Sequence, residues 1–241
     1  MFQGIKEFIS VYKEPFNREV KAKRVARERL RTKGVDRPTK SQLEDEIEEV
    51  LDEWELKADW GINAHKKLQE EGLIKYPNAI IEEYSKDRVS KDTIPKEALK
   101  INLLKKNQRY YEKFIYDPIN ELIGYVDEVF VDKKGYINIV EYKTTNNLNK
   151  NYTFLTPKGP IINKYFKPID NIIDCNFSQA SLQSSMYMYL LWYYNKKLKS
   201  GTITIKHIKL NEDTGNIETI IDHNSPYLIE EVKKLLQHKK K

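Results

Sequence analysis

Residues 124–145, GYVDEVFVDKKGYINIVEYKTT, decide the fold, because their pattern predicts a β-hairpin that belongs to a sheet. Two apolar, strand-like runs flank a short polar segment that contains a glycine. Successive side chains of a strand alternate between its faces, so Glu141 and Lys143 share one face of the second strand. Asp127 lies in the first strand. Core strands do not ordinarily hold unpaired charges, so these three residues need an explanation.

The length of the hairpin loop determines which residue lies opposite Glu141. A loop of two or four residues places Asp127 on the opposite face of the sheet. A three-residue loop, residues 133–135, pairs Asp127 with Glu141. Such loops favour a type I turn that ends in a left-handed residue, and Gly135 supplies that residue. This register sets the two carboxylates side by side, with Cβ atoms about 4.5–5.5 Å apart.

Two neighbouring carboxylates are typical of a cation site. Like charges at this spacing repel unless a cation lies between them. Hard divalent cations such as Mg²⁺ take oxygen ligands from one or two carboxylates and complete their shell with water or phosphate. Lys143 would then orient an attacking water or stabilise charge that develops on a phosphate. The local pattern fits equally well a solvent-facing edge hairpin with a cross-strand Lys–Asp pair.

The rest of the chain predicts a mixed α/β protein with helices before the sheet. Ser41 and Glu44 have the spacing of a capping box and predict a helix start. Gly61 is expected to interrupt that helix, and Gly72 is expected to end a second one. The other predicted elements are a basic helix over 17–32, a strand from 110, a long loop over 146–176, a helix over 178–196, a hairpin over 202–222 and a helix over 225–240.

Length and composition suit a globular chain. The 241 residues are enough for one domain with an appendage, and we expect an N-terminal helical region over 1–60 and the main domain over 61–241. The single cysteine, Cys175, excludes an internal disulfide framework and a four-cysteine cluster. No apolar run approaches the ~18 residues of a membrane span, so we expect a cytoplasmic protein without a membrane partner.

Charge is distributed in blocks. The net charge is +6, and a basic balance favours a polyanionic partner. Residues 18–33 hold eight basic and two acidic side chains, whereas residues 44–55 hold eight acidic and no basic ones. The two blocks either pair with each other or leave the basic one to face DNA.

Several motifs occur together in a recognisable order. The hairpin carries Asp127 followed by Glu-x-Lys, and Gly124 precedes Asp127 by three residues. Upstream, a histidine follows a glycine by four residues in WGINAHKKLQEEG, residues 60–72. Downstream, LQSSMYMYLL, residues 182–191, contains Gln-x-x-x-Tyr. In this order the motifs resemble the PD-(D/E)xK nuclease superfamily, and within it the RecB-like exonuclease branch.

The resemblance implies a restriction-endonuclease-like mixed β-sheet flanked by helices and a Mg²⁺- or Mn²⁺-dependent deoxyribonuclease. It implies catalytic roles for Asp127, Glu141 and Lys143. The implied metal ligands are His65, Asp127, Glu141 and the backbone carbonyl of Tyr142. The implied supporting or DNA-contacting residues are Gln183, Tyr187 and Glu112, where Glu112 resembles an acidic position of this branch.

Two departures refine the resemblance. Val126 stands where the family name has proline. The single cysteine excludes the iron–sulfur cluster of some relatives, so the chain is more similar to the simpler phage and mitochondrial-type exonucleases. Residues 167–191 resemble copies from tailed bacteriophages, which implies a role in phage replication, recombination or repair in the host cytoplasm, with phage replication or recombination proteins as partners.

The expected activity is that of an exonuclease on single strands or DNA ends. Two alternatives remain open on sequence grounds. One is a catalytically silent nuclease-fold module that binds DNA or protein. The other is a structure-specific endonuclease with the same chemistry.

Overall fold

The protein is a mixed α/β molecule, seen in a computed structural model that describes residues 3–13, 17–82, 100, 102–145, 148, 153–156 and 159–240. Its helices are α1 (Ile5–Ser10), α2 (Arg18–Thr32), α3 (Lys40–Lys75), α4 (Asn176–Tyr194) and α5 (Ile229–Lys239). Its strands are β1 (Gln3–Gly4), β2 (Ile80–Ile81), β3 (Gln108–Asp117), β4 (Leu122–Val131), β5 (Tyr136–Thr144), β6 (Thr153–Thr156), β7 (Gly159–Ile162), β8 (Lys199–Leu210) and β9 (Ile217–Asn224).

Seven strands form one mixed sheet. Six of them follow the order β2-β3-β4-β5-β8-β9, and β1 pairs with β4. Strands β3, β4 and β5 are antiparallel neighbours, whereas β8 runs parallel to β5 after a connection that includes α4. The predicted α/β class is therefore confirmed. The predicted loop over 146–176 is wrong in part, because β6 and β7 pair within it; residues 146–147, 149–152 and 157–158 lie outside the described part.

The predicted hairpin register is confirmed. Val131 pairs with Ile137 and Glu128 pairs with Val140, as a three-residue loop requires. Gly135 has a φ of +86°, a conformation that glycine adopts without the steric cost other residues meet. The alternation of side chains along the two strands and the length of the loop between them therefore agree on one register.

Strands β4 and β5 separate just beyond this ladder. The last hydrogen-bonded pair before the separation is Glu128 with Val140. One residue further, the carboxylate of Asp127 accepts the backbone N–H of Tyr142 at 2.6 Å, from Oδ2. A side chain therefore takes the place of a backbone acceptor, and the strands open at the predicted site.

Helix α3 is longer than the sequence predicted and begins elsewhere. Its N-cap is Thr39, which forms a capping box with Gln42, so the predicted start at Ser41 is wrong. Each partner of such a box satisfies a backbone N–H of the first turn. The helix then runs to Lys75 as one continuous element.

The two glycines of α3 are contact points rather than breaks, which corrects the prediction of two helices. A Cβ at Gly61 would lie 2.6 Å from Oγ1 of Thr144 at the end of β5, and a Cβ at Gly72 would collide with the hydroxyl of Tyr111. Glycine therefore allows α3 to lie directly against the sheet. The cost of a glycine within a helix, about 1 kcal/mol relative to alanine, is offset by this packing.

Several side chains of the basic block, residues 18–33, form ion pairs with the acidic block, residues 44–55. For these side chains, the alternative in which the two blocks pair with each other is the one observed. Helices α2 and α3 pack around Ala22, Ala26 and Val50. At their border Lys33 lies 2.7 Å from Glu46, Arg18 lies 2.9 Å from Glu55, and Arg29 pairs with Glu53. These basic side chains are held by acidic partners of the same molecule.

The main core lies between the sheet and helices α1, α4 and α5. It includes Ile9 of α1, Ile139 of β5, Met186 of α4 and Leu235 of α5, all fully buried. Thus α1, which the sequence placed in the N-terminal helical region, packs into the core of the sheet. The boundary between residues 60 and 61 stays a prediction, although α3 crosses it. Among the described residues, no helix has the length and apolarity needed to cross a membrane.

Candidate active site

Glu141 lies at the centre of the candidate site. Its side chain is buried, with 3% of its surface exposed. The Nζ atom of Lys143 lies 2.7 Å from its Oε1, and Nε2 of Gln183 donates to the same oxygen at 3.1 Å. Its second oxygen, Oε2, is buried and has no hydrogen-bond partner within the described residues. One carboxylate oxygen is therefore held in place, while the other is buried without a hydrogen-bond partner in the described part of the chain.

Asp127 connects this centre to helix α3. Its Oδ1 lies 3.7 Å from Nδ1 of His65, while Oδ2 accepts the N–H of Tyr142. The imidazole packs edge-on against the Tyr142 ring, with centroids 5.5 Å apart. His65 is four residues after Gly61, whose close approach to β5 brings this turn of α3 to the opening between β4 and β5. The structure thus brings together all the charged residues that the sequence predicted for the site.

Glu112 also belongs to this cluster. It lies on β3 between two residue pairs, Tyr111 with Glu128 and Lys113 with Val126, and is therefore opposite Asp127. Its φ is +50°, which is uncommon for a residue other than glycine. Such strained backbone within a strand is concentrated at functional sites.

The cluster contains more negative charge than its own cations neutralise. Burial and the charge of Asp127 raise the pKa of Glu141 to about 7, although Lys143 opposes the shift. Burial and Asp127 likewise raise the pKa of Glu112 to about 7. Three carboxylates therefore share a site with one ammonium and one imidazole, and each proton taken up relieves repulsion.

Burial acts on the pKa of the two basic groups in the opposite sense, although their net shift is also upward. Burial lowers the pKa of Lys143, but the charges of Glu141 and Asp127 outweigh burial and leave it raised. Burial also lowers the pKa of His65, but the carboxylate of Asp127 beside it outweighs burial and leaves the pKa raised. Lys143 is therefore a permanent cation at neutral pH.

Gln183 and Tyr187 lie inside the core behind Glu141. Gln183 donates to Glu141 and lies 2.8 Å from the hydroxyl of Tyr187. Only 7% of Gln183 and 3% of Tyr187 is exposed. This burial suits residues that hold Glu141 and does not suit a direct contact with a DNA strand.

Gly124 connects the motif around Asp127 to the Gln-x-x-x-Tyr motif of α4. A Cβ at this position would lie 2.6 Å from the Tyr187 ring, so only glycine lets the ring lie over β4. The glycine three residues before Asp127 and the tyrosine of the α4 motif are thus one packing unit. Sequence reasoning missed this contact, because no local pattern shows which strand residue faces α4.

A second network fixes Tyr142 from the other side of the sheet. Its hydroxyl donates to Oε2 of Glu128 at 2.8 Å, and Glu128 pairs with Arg109. The Arg109 guanidinium in turn lies 4.0 Å from the ring centroid of Tyr76. These contacts hold the backbone of Tyr142, whose N–H binds Asp127. Sequence reasoning assigned no role to Glu128 or Arg109.

An open cavity of about 310 Å³ lies beside the cluster. Its lining includes His65, Lys143, Gln183, Gln179 and Lys6. His207, for which the sequence indicated no role, holds the adjacent end of β5 because its Nε2 lies 2.5 Å from the carbonyl oxygen of Thr145. The cavity gives solvent and a substrate a route to the ammonium of Lys143.

The residues fit a divalent cation, although within the described part of the chain no group of three or more His, Cys, Asp or Glu side chains forms a ready-made metal centre. The fit rests on the unsatisfied Oε2 of Glu141 and on the excess of carboxylates. Hard cations take such oxygens. Asp127 and Glu141 would supply them, with His65 and the carbonyl of Tyr142 as the further predicted ligands.

A pH-dependent stability effect follows from Glu112. Its pKa is about 7 in the folded protein, above its ordinary value of 4.5, so the folded state binds the proton more tightly. Without metal, the free energy of unfolding should therefore be largest near pH 4.5 and fall as pH rises through 7. Because Glu112→Gln removes the charge, we expect it to raise that free energy at pH 8 by roughly 1–3 kcal/mol, and by less at pH 4.5.

Urea unfolding of the metal-free protein at both pH values measures this effect. Glu48→Gln, on the exposed side of α3, serves as the control and should change little at either pH. A Glu112→Gln variant that is less stable than the wild type at pH 8 would contradict the expectation.

The comparisons with known proteins do not assign a family. No family model matches the chain, and no curated protein matches it. Among solved structures, a match is found to one described as "Crystal structure of SSO0001", with 13% identity over 56% of this chain and 49% of that chain and a TM-score of 0.25. The match spans about half of that protein, and a score this low carries no assignment of fold, so the function has to be inferred from the residues of the site.

Proposed function

We propose that the protein is a Mg²⁺- or Mn²⁺-dependent deoxyribonuclease of the PD-(D/E)xK superfamily, with a restriction-endonuclease-like sheet. The observation that carries this proposal is the state of Glu141. One of its oxygens is held by Lys143 and Gln183, and the other is buried and has no hydrogen-bond partner among the residues that the structure describes. A buried acceptor without a partner costs about 1–3 kcal/mol, and a cation bound to that oxygen and to Asp127 would remove this cost.

Each residue of the cluster has a role in phosphodiester hydrolysis. A divalent ion, when bound, would supply an activated water and neutralise charge on the scissile phosphate. Asp127 and Glu141 offer the oxygens that hold such an ion. His65 holds Asp127 from the α3 side.

Lys143 is the residue that meets the substrate. It is a cation at neutral pH because of Glu141 and Asp127, and 26% of its side chain is exposed. From the wall of the cavity it can donate hydrogen bonds to the attacking water and to the phosphate oxygen on which charge develops. Gln183 keeps Glu141 in place and thereby keeps the position of the Lys143 ammonium.

The mode of attack is proposed from the resemblance to the exonuclease branch. We propose action on single strands or DNA ends, in phage replication, recombination or repair and alongside the phage proteins of those processes, in the host cytoplasm. The same cluster could cleave an internal bond or a terminal one, so the digestion of defined substrates has to distinguish the two modes.

Digestion of three DNA substrates tests this function. With Mg²⁺, we expect the protein to degrade linear DNA with free ends, to degrade end-blocked linear DNA slowly, and to leave a covalently closed circle intact. Cleavage of the circle would support the endonuclease alternative. Intact DNA in all three reactions, together with retained DNA binding, would support the silent-module alternative and contradict the proposal.

A further inference from the structure

Seven exposed lysines gather at the end of the sheet that carries the β4–β5 hairpin loop. They are Lys105, Lys106, Lys133, Lys134, Lys196, Lys197 and Lys199. They come from three segments: the residues before β3, the hairpin loop, and the connection from α4 to β8. We name this surface the lysine end.

Specific contacts hold the three segments together. The N–H of Lys199 donates to the carbonyl oxygen of Gly135 at 2.8 Å. The side chain of Lys106 lies over the same glycine, because a Cβ there would be 3.0 Å from its Cε. The N–H of Leu104 donates to the buried side chain of Asn195 at 2.9 Å. These contacts between the three segments therefore keep the lysines close together.

The lysine end differs from the basic helix α2 in its charge balance. Within the part of the chain that the structure describes, none of the seven lysines forms an ion pair, whereas four of the eight basic residues at 18–33 do: Arg18, Arg24, Arg29 and Lys33. Clustered cations without acidic partners repel one another and create a positive potential that attracts a polyanion. The fold keeps this charge in solvent.

Aromatic rings lie among these lysines. The Nζ atom of Lys196 lies 3.7 Å from the ring centroid of Trp192 and 4.5 Å from that of Tyr193. Lys199 lies over the Tyr136 ring at 5.3 Å. Tyr193 and Tyr136 are 39% and 37% exposed, so each of these residues is accessible to solvent beside an ammonium.

The lysine end is separate from the candidate active site. Tyr193 follows Gln183 by ten residues on α4, which is about 15 Å along the helix. Tyr136 precedes Glu141 by five residues on β5, which is about 16 Å along the strand. The two sites therefore lie toward opposite ends of the same strand and helix.

We propose that the lysine end binds single-stranded nucleic acid. Proteins that bind single strands without sequence preference combine a basic surface for the phosphates with exposed rings on which bases stack. A duplex keeps its bases stacked internally and would use only the lysines. The same holds for an acidic protein, so the exposed rings favour a single strand. This binding needs neither the metal nor the carboxylate cluster.

Fluorescence anisotropy with a labelled 20-nucleotide oligothymidine tests the proposal. The measurement is made in EDTA, so that it stays valid even if the protein is not a nuclease. We expect the triple variant Lys196→Gln, Lys197→Gln, Lys199→Gln to raise Kd at least about tenfold. We also expect it to reduce the slope of log K against log salt by about 2, since each single-strand phosphate contact contributes about 0.7. Tyr193→Ala should raise Kd at least about fivefold, because one stacked base contributes about 1–3 kcal/mol.

The matched control removes the same charge from α2, with Lys21→Gln, Lys23→Gln and Arg27→Gln, all exposed. It should change Kd less than about twofold. The proposal is overturned if both triple variants weaken binding equally. It is also overturned if an unlabelled duplex of equal length, or polyglutamate, competes as well as the unlabelled oligonucleotide. Either result would show that the surface recognises negative charge alone and does not select a single strand.

Discussion

Lys143→Ala is expected to lower the rate of Mg²⁺-dependent DNA hydrolysis by about 10²–10⁴-fold, the range typical of a lost transition-state donor or proton-transfer group. The ammonium lies 2.7 Å from the carboxylate that would hold the metal and lines the open cavity. Its loss removes the cation that would orient water and stabilise the phosphate, while Gln183 still donates to Glu141. Rates on linear DNA at saturating Mg²⁺ measure the effect.

Lys206→Ala is the matched control for this variant. Lys206 lies on the neighbouring strand β8, opposite Tyr142, and pairs with Asp222 at the surface. Its removal should change the rate less than about twofold and stability by no more than about 1 kcal/mol, as for exposed ion pairs. Equal rates for Lys143→Ala and the wild type would contradict the proposed chemistry.

Glu141→Gln is expected to have the largest effect on metal binding. The amide keeps the shape of the side chain and an oxygen that can accept from Lys143 and Gln183, but it loses the negative charge. We expect the affinity for Mn²⁺ to fall at least about 100-fold, because Mn²⁺ prefers charged oxygen ligands, and hydrolysis to become undetectable. Isothermal titration with Mn²⁺ measures the affinity.

Glu230→Gln, on the exposed first turn of α5, controls for loss of a carboxylate as such and should bind Mn²⁺ as the wild type does. A thermal unfolding scan shows whether Glu141→Gln is folded. A folded Glu141→Gln variant with unchanged Mn²⁺ affinity would exclude Glu141 as a ligand.

The sequence predicted the part of the site that depends on local periodicity. The period of two along β5, together with a glycine at the end of a three-residue loop, predicts Asp127 opposite Glu141, and the structure has this register up to the pair Glu128 and Val140, where the strands open. Local rules suffice there because both strands and their turn are contiguous in the chain.

The parts that the sequence did not predict depend on contacts between distant segments. A glycine within a helix is usually read as an end, but Gly61 is glycine because α3 lies against Thr144. In the same way, Gln183 lies behind Glu141 because α4 packs across the sheet. Neither partner can be read from local spacing, since tertiary contacts override propensity.

The pairing of the charged N-terminal blocks, residues 18–33 and 44–55, also depends on a contact between separate segments. Composition left open whether the basic block meets DNA or the acidic block. Packing of Ala22 and Ala26 against Val50 brings helices α2 and α3 side by side and so pairs the charges. The lysine end, by contrast, has no charge block in the sequence, because three separate segments build it.

We propose that one divalent ion, held by Asp127 and Glu141, is required for DNA hydrolysis at this site. The most direct test measures bound Mn²⁺, by electron paramagnetic resonance, and hydrolysis of linear DNA in the same preparation over a Mn²⁺ titration. We expect the amount of bound Mn²⁺ and the rate of hydrolysis to rise together with one half-saturation, and both to be lost in Glu141→Gln. Hydrolysis that persists in Glu141→Gln, or a wild-type protein that binds Mn²⁺ fully and leaves linear DNA intact, would contradict this proposal.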